Sequence, residues 1–236
     1  MSKLAIITGT SKGIGYALAD LMLTQGYNVH GISRTNKIVN ENFIFSCVDL
    51  SNSEELMNLQ LPNISKYSDV ILVNNAGDIG EIMPLGKKNK NKIALEYVLN
   101  LTAPTVLCSN FIDLTQKNSS KNTIVNISSG AGYRPISSWS TYCASKSAIN
   151  MLTDCINDES LNIKAFAISP GIVNTEMQEK IRKANANNFP LKENFINYFK
   201  DGELEDPKTI AKKILYVIQN QDKMENLKLS LRDIEI

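Results

Sequence analysis

Apolar residues along this chain fall into short runs rich in β-branched side chains, separated by longer stretches where they recur at helical spacing. The runs are residues 4–8, 29–33, 43–48, 70–74, 123–128, 163–168 and 227–231. Several are almost continuously apolar, the pattern of strands covered on both faces in a parallel sheet. Helical character occupies residues 14–25, 92–115, 141–157 and 208–219. The last has Asp206 as an N-cap and Pro207 at the first helical position, where its missing N–H is not needed. This alternation predicts an α/β fold with a doubly wound parallel sheet of about seven strands flanked by helices. No internal repeat, linker or low-complexity tract interrupts it, so residues 1–236 read as a single domain.

Two connections depart from the regular pattern. Residues 34–42 leave nine positions between the second and third strands, barely enough for a parallel crossover, so any helix there should be vestigial. The stretch 175–202 is long, lacks strand character and carries Phe189, Phe195, Tyr198 and Phe199. Insertions of this kind are often lids, and a substrate-binding lid is expected over about residues 175–206. The Lys/Asn-rich stretch 87–92 reads as a solvated loop.

Composition narrows the function. The chain is 43% hydrophobic and 21% charged with a formal net charge of +1, which offers neither nucleic acid nor a membrane surface an electrostatic partner. No apolar run approaches the length of a membrane span, and the four-residue apolar run near the N-terminus is too short for a signal peptide. A soluble, cytoplasmic protein is expected. Cys47, Cys108, Cys143 and Cys155 show no CxxC spacing, and His30 is the sole histidine, so no metal site is expected. Buried free thiols in a reducing compartment are the simplest account of the cysteines.

Candidate chemistry begins where the first strand runs into Thr8-Gly9-Thr10-Ser11-Lys12-Gly13-Ile14-Gly15 and a helix follows at once. Glycines let the backbone turn tightly and approach a pyrophosphate, and the helix N-terminus presents free N–H groups to it. This is the dinucleotide-binding signature of a Rossmann fold. The second strand ends in Ser33-Arg34-Thr35, without the carboxylate that would bind a ribose 2′-hydroxyl. Arg34 and Lys12 can instead meet a 2′-phosphate, so the expected cofactor is NADP(H).

Tyr142 and Lys146 lie four apart in a helical segment and project from one face. A nearby ammonium favours the phenolate and should lower the tyrosine pKa toward the working range of a general acid–base. The strand before that helix ends in Ser128-Ser129-Gly130, thirteen residues ahead of Tyr142 for Ser129, at the sheet edge where ligands bind in such folds. Of the two serines, Ser129 has the spacing that suits hydrogen bonding to a substrate carbonyl.

Together with Asp49-Leu50, Asn74-Asn75-Ala76-Gly77, Asn100 and Ser169-Pro170-Gly171 followed by Thr175, these pieces resemble the short-chain dehydrogenase/reductase family over essentially the whole chain. The resemblance implies that Tyr142 donates a proton to the carbonyl oxygen. Lys146 lowers its pKa and binds the nicotinamide ribose, Ser129 polarises the carbonyl, and Asn100 holds a water that continues the proton relay. It further implies a cofactor cleft bordered by Gly9, Ser11, Lys12, Gly13, Ile14, Gly15, Ser33, Arg34, Thr35, Asp49, Leu50, Asn75, Ala76 and Gly77. Pro170, Gly171, Val173 and Thr175 close its nicotinamide end.

Within the family, Ser33-Arg34-Thr35, Pro84-Leu85-Gly86, the run from Asn100 to Pro104 and Leu231-Arg232-Asp233-Ile234 resemble the sepiapterin-reductase-like branch and the benzoin-forming benzil reductases. A benzil-type diketone would suit the lid aromatics with Trp139, although ordinary packing accounts for most of them equally well. The expected activity is reduction of a ketone, aldehyde or 1,2-dicarbonyl. A 3-oxoacyl-thioester reductase and a non-catalytic NADP-binding sensor remain alternatives. Related enzymes pair through the helices predicted at 92–115 and 141–157, which implies a homodimer or homotetramer.

Overall fold

From Lys3 the chain alternates strand and helix: β1 (Lys3–Thr8), α1 (Gly13–Thr24), β2 (Asn28–Ser33), β3 (Phe43–Cys47), α2 (Ser53–Asn58) and β4 (Asp69–Asn74). There follow α3 (Lys90–Tyr97), a π turn (Val98–Thr102), α4 (Ala103–Thr115), β5 (Lys121–Ile127), α5 (Ser140–Glu159) and β6 (Ile163–Ser169). The last elements are α6 (Glu176–Arg182), α7 (Lys192–Lys200), α8 (Pro207–Gln219) and β7 (Lys228–Ser230). The computed structural model describes residues 2–116, 120–159 and 162–236.

All seven strands are parallel, in the order β3-β2-β1-β4-β5-β6-β7. The order reverses between β1 and β4, and a doubly wound sheet opens its ligand crevice at that switch point. The near-continuous apolar runs have the predicted cause: Leu4, Ile6, Ile7, Val70, Ile71, Leu72 and Val73 are all inaccessible. One face packs Leu18, Met22 and Ile214 of α1 and α8 against Phe166. The other packs Leu107 and Phe111 of α4 and Ile156 of α5 against Leu72 and Ile124.

Several sequence expectations are corrected. The predicted helix at 92–115 is broken at Val98–Thr102. Pro104 has no N–H for the Asn100 carbonyl four residues earlier, and its ring crowds that carbonyl. The ladder therefore slips to a π pattern, in which the Ala103 N–H reaches Val98 O. Residues 34–42 hold no helix, whereas α2, which was not expected, is capped by Asn52 accepting from Glu54 and Glu55 N–H. The 175–202 stretch contains α6 and α7. Residues 87–92 are not simply a solvated loop: α3 starts at Lys90, and Lys88 is buried. The cysteines are free, but only Cys108 is buried, because Cys47 sits on the edge strand β3 and Cys155 on the outer side of α5.

Helix α5 takes its register from the end of β5. Asn126 Nδ2 donates to Thr153 Oγ1 (3.0 Å), Ser128 Oγ to Asn150 Oδ1 (2.5 Å) and Lys146 Nζ to Ile127 O (2.7 Å). These partners and Tyr142 lie on one stripe at helical spacing, so fixing one fixes all.

At the other side of the crevice the β1–α1 turn is held by backbone proximity. Gly9 has φ +74°, and a Cβ on Gly15 would stand 2.3 Å from Asn75 Nδ2 and 2.4 Å from Gly9 O. Gly15→Ala is expected to push α1 off the turn, lowering stability by about 1–3 kcal/mol. A fall in the urea midpoint with an unchanged slope checks this; an unchanged midpoint contradicts it.

Candidate active site

The groups singled out in the sequence converge at the carboxyl ends of β1, β4 and β5. Thr8 Oγ1, at the end of β1, accepts from the N–H groups of Asn75 and Ala76, both at 2.9 Å. Asn75 Nδ2 returns to Thr8 O at 2.9 Å. This cross-link joins the glycine loop to the segment after β4. Gly77 lies between two of the expected site residues: a Cβ there would stand 3.0 Å from Asn100 Oδ1 and 3.8 Å from Lys146 Nζ.

Asn100 is presented by the π turn that Pro104 creates. Its side chain is buried and bonded to one peptide, accepting from Asp78 N (3.0 Å) and donating to Asp78 O (2.8 Å). Ser128 and Ser129 have different surroundings. The Ser128 hydroxyl is tied to Asn150, whereas Ser129 accepts from Ala131 N at 3.2 Å and hydrogen-bonds Tyr142.

Tyr142 is buried, and burial pushes its phenol up to about 12, with the Ser129 hydrogen bond opposing the rise. Burial also pulls the Lys146 ammonium down to about 8. The ammonium lies 5.6 Å from the Tyr142 ring centre. Sequence reasoning expected Lys146 to lower the tyrosine pKa. Here desolvation outweighs any such pull, because each charged form loses water and the ammonium turns toward Ile127 O.

The other residues expected to border a cofactor cleft have varied surroundings. Ser11 and Ile14 are half-buried in the turn, and Lys12, exposed, forms an ion pair with Glu176 at the start of α6. Gly13 meets the same segment: its Cβ would stand 3.3 Å from Thr175 Cγ2. Ser33 Oγ donates to Thr35 O (2.8 Å) and lies 3.3 Å from Thr10 Oγ1. The Arg34 side chain is 72% exposed, and its guanidinium is 3.9 Å from Asp49. The Asp49 carboxylate is held below its usual range by the Ser51 hydroxyl, and Leu50 beside it is buried. Pro170 and Gly171 follow β6, where Gly171 has φ +86°. Val173 is buried and bridges to Glu205, and Thr175, just before α6, donates its hydroxyl to Val173 O at 3.3 Å. No group of three or more His, Cys, Asp or Glu side chains able to hold a metal, and no helix long and apolar enough to cross a membrane, occurs among the described residues.

Helices α6 and α7 lie over Tyr142. Trp139 meets the Tyr142 ring edge-on at 5.9 Å, stacks on Phe189 at 5.6 Å and touches Phe195 at 5.3 Å. Phe189 is wholly buried, so these aromatics are in the first place a core; Phe199 is exposed and packs on Arg182 instead. Two ion pairs that sequence reasoning missed pin α6 across the crevice: Lys12–Glu176 and Lys180–Asp78 (2.6 Å). Nothing local in the sequence marks partners more than a hundred residues apart.

The family described as short chain dehydrogenase matches residues 3–186. A benzil reductase ((S)-benzoin forming) of Bacillus subtilis is 35% identical over 227 residues, covering 92% of this chain and 93% of the relative. The Bacillus cereus enzyme of the same description is 33% identical, covering 92% and 94%. Among solved structures, a short chain dehydrogenase/reductase of Saccharomyces cerevisiae superposes with a TM-score of 0.87 at 23% identity over 99% of this chain and 97% of that one, a likeness of fold. A 4-hydroxyisoleucine dehydrogenase complexed with NADH has a TM-score of 0.81 at 28% identity, over 96% and 95%.

The buried lysine has a consequence for stability. Lys146 titrates near 8 in the fold and near its ordinary 10.5 when unfolded, so between those values the unfolded chain binds more protons and stability rises with pH. Tyr142, shifted upward, acts in the opposite sense and only above a pH of about 10. Lys146→Met is therefore expected to be more stable than the parent near neutrality, with the gap in Tm shrinking as pH rises from about 8 to 10. A gap that stays constant over that range contradicts the depressed value.

Proposed function

We propose, from the premise that the chain belongs to the short chain dehydrogenase family, that this oxidoreductase is an NADPH-dependent carbonyl reductase whose substrates include 1,2-dicarbonyls of the benzil type. The observation that carries the proposal is the convergence of Tyr142, Ser129 and Lys146 beside a turn packed so closely against residues 75 and 76 that only glycine fits at positions 9 and 15. The turn fits a dinucleotide: Gly9 and Gly13, at φ +74° and +60°, shape it, and the N-terminus of α1, which no side chain caps, offers its N–H groups to a pyrophosphate. A reduced nicotinamide, when bound, supplies the hydride.

The protein's own part is to place and move a proton. At neutral pH a phenol raised to about 12 is fully protonated, as a donor must be. Ser129 is placed to donate to the carbonyl oxygen and draw charge onto it. As that oxygen gains charge it becomes a far stronger base than a phenolate and takes the Tyr142 proton. The phenolate left behind faces the Lys146 ammonium, which stabilises it. Asn100, beside Gly77 and Lys146, is suited to hold the water that returns a proton to this pair.

Cofactor choice rests on Arg34. No carboxylate occupies positions 33–35, Asp49 is engaged by Ser51, and the guanidinium is open to solvent. A 2′-phosphate can take it bidentately, while Lys12 must first leave Glu176. The 1,2-dicarbonyl class is supported by the two benzil reductases. The chain is read as one domain with residues 175–206 as a substrate lid. It is read as a cytoplasmic homodimer or homotetramer pairing through α3 to α5, where Leu95 and Met151 are exposed.

Two measurements test this reading. NADPH consumption is followed with benzil, other 1,2-diketones, sepiapterin and an acetoacetyl thioester. Turnover of the diketones is expected, with kcat falling roughly 10²–10⁴-fold in Tyr142→Phe and about 10²-fold or more in Ser129→Ala. Parent-like activity in Tyr142→Phe overturns the mechanism. Separately, Arg34→Ser is expected to raise the KM for NADPH about tenfold or more and to leave that for NADH unchanged. Equal effects on both cofactors contradict the role given to Arg34.

A further inference from the structure

A charged cluster lies behind the reacting groups and takes no part in the chemistry above. The Lys88 side chain is 0% exposed and Glu96 8%, and their ion pair spans 2.9 Å. Lys88 Nζ also donates to Thr141 Oγ1 at 2.7 Å, and the Thr141 hydroxyl donates to the same Glu96 oxygen, Oε2. The other oxygen, Oε1, accepts from Glu81 N at 2.6 Å. The loop comes this close only because residue 80 is glycine: it has φ +72°, and a Cβ there would stand 2.1 Å from Glu96 Cδ.

Thr141 and Glu96 each stand close in sequence to a group with a role in the proposed mechanism. Thr141 precedes Tyr142 in the first turn of α5. Glu96 stands one helical turn before Asn100, entering the π turn. Gly80 and Glu81 continue from Asp78, whose backbone makes both side-chain bonds of Asn100, and Gly80 N donates to Asp78 Oδ1 at 2.6 Å. Stability alone is a poor reason for such a cluster, since apolar residues of similar volume often replace a buried ion pair at no loss. Its directed bonds, by contrast, hold three chain segments in one arrangement.

We propose that Lys88, Glu96 and Thr141 are positioning residues that fix the Tyr142 turn of α5 against the Asn100 turn, and thereby the distance between the proton donor and its relay. The proposal rests on the reading of Tyr142 as proton donor. Misplacement by about 1 Å can lower turnover roughly 10²-fold without touching the reacting atoms.

The test compares Thr141→Val, which keeps the shape and the direct Lys88–Glu96 pair, with Thr141→Ser, which restores the hydroxyl. A Lys88→Met/Glu96→Leu double variant keeps the site filled without charge. The probe is benzil with NADPH, with Tyr142→Phe in the same series. The expected result is a kcat lowered about tenfold or more in Thr141→Val and in the double variant, parent-like in Thr141→Ser, with the KM for NADPH within about twofold and Tm preserved. Acrylamide quenching of Trp139, the single tryptophan, two residues before Thr141, reports the same turn without any substrate. It should rise in Thr141→Val and revert in Thr141→Ser, and it decides the matter if benzil is not turned over. A parent-like kcat in Thr141→Val while Tyr142→Phe is inactive overturns the clamp alone, as does a kcat that falls only together with Tm. An active Tyr142→Phe overturns the proton-donor reading instead.

Discussion

Helix α5 meets the carboxyl end of β5 through a stripe of polar side chains, and the seating of that stripe decides where the reacting groups stand. Thr153, Asn150 and Lys146 each bond to a group of the segment 126–128. Tyr142 is one turn beyond, at the point where the strand has ended and the crevice begins. These are buried bonds, so slipping the helix by one residue would strand several polar groups without partners at once. The apolar layers stabilise the fold, and this polar seam gives it one register.

The same burial sets the charge state of the site. Removing water disfavours both the phenolate and the ammonium, and the two pKa values move apart, from 10.0 up to about 12 for the tyrosine and from 10.5 down to about 8 for the lysine. At neutral pH the tyrosine carries a proton to give, and the lysine remains charged enough to receive a phenolate. In the proposed mechanism that pair serves a carbonyl oxygen that gains charge as it is reduced.

The parallel sheet, the glycine turn and the pairing of Tyr142 with Lys146 on one helix face were legible because each leaves a local mark: continuous apolar runs, a glycine cluster after a strand, an i,i+4 pair; Asn100 came only from the resemblance to a family. The break at Asn100 was legible in principle, since Pro104 stands four residues on, but a periodicity reading carried the helix straight through it. Helices α6 and α7 were missed because they are short and pack Ile181 and Phe195 into one cluster with Trp139 and Tyr142. Lys88 was misread for a related reason. A lysine among lysines and asparagines reads as surface, and only the fold brings Glu96 and Thr141 to it. The upward shift of Tyr142 was likewise invisible, since spacing shows the neighbouring cation and not the loss of solvent.

The most direct measurement of the central claim is the fate of an isotope. NADPH carrying deuterium at the transferable C4 position is incubated with benzil and the parent enzyme, and the alcohol product is analysed by mass spectrometry. The account predicts one deuterium on the carbinol carbon of benzoin and none in product mixtures from Tyr142→Phe. Benzoin formed without the label, or cofactor oxidised with no carbonyl reduced, would contradict it.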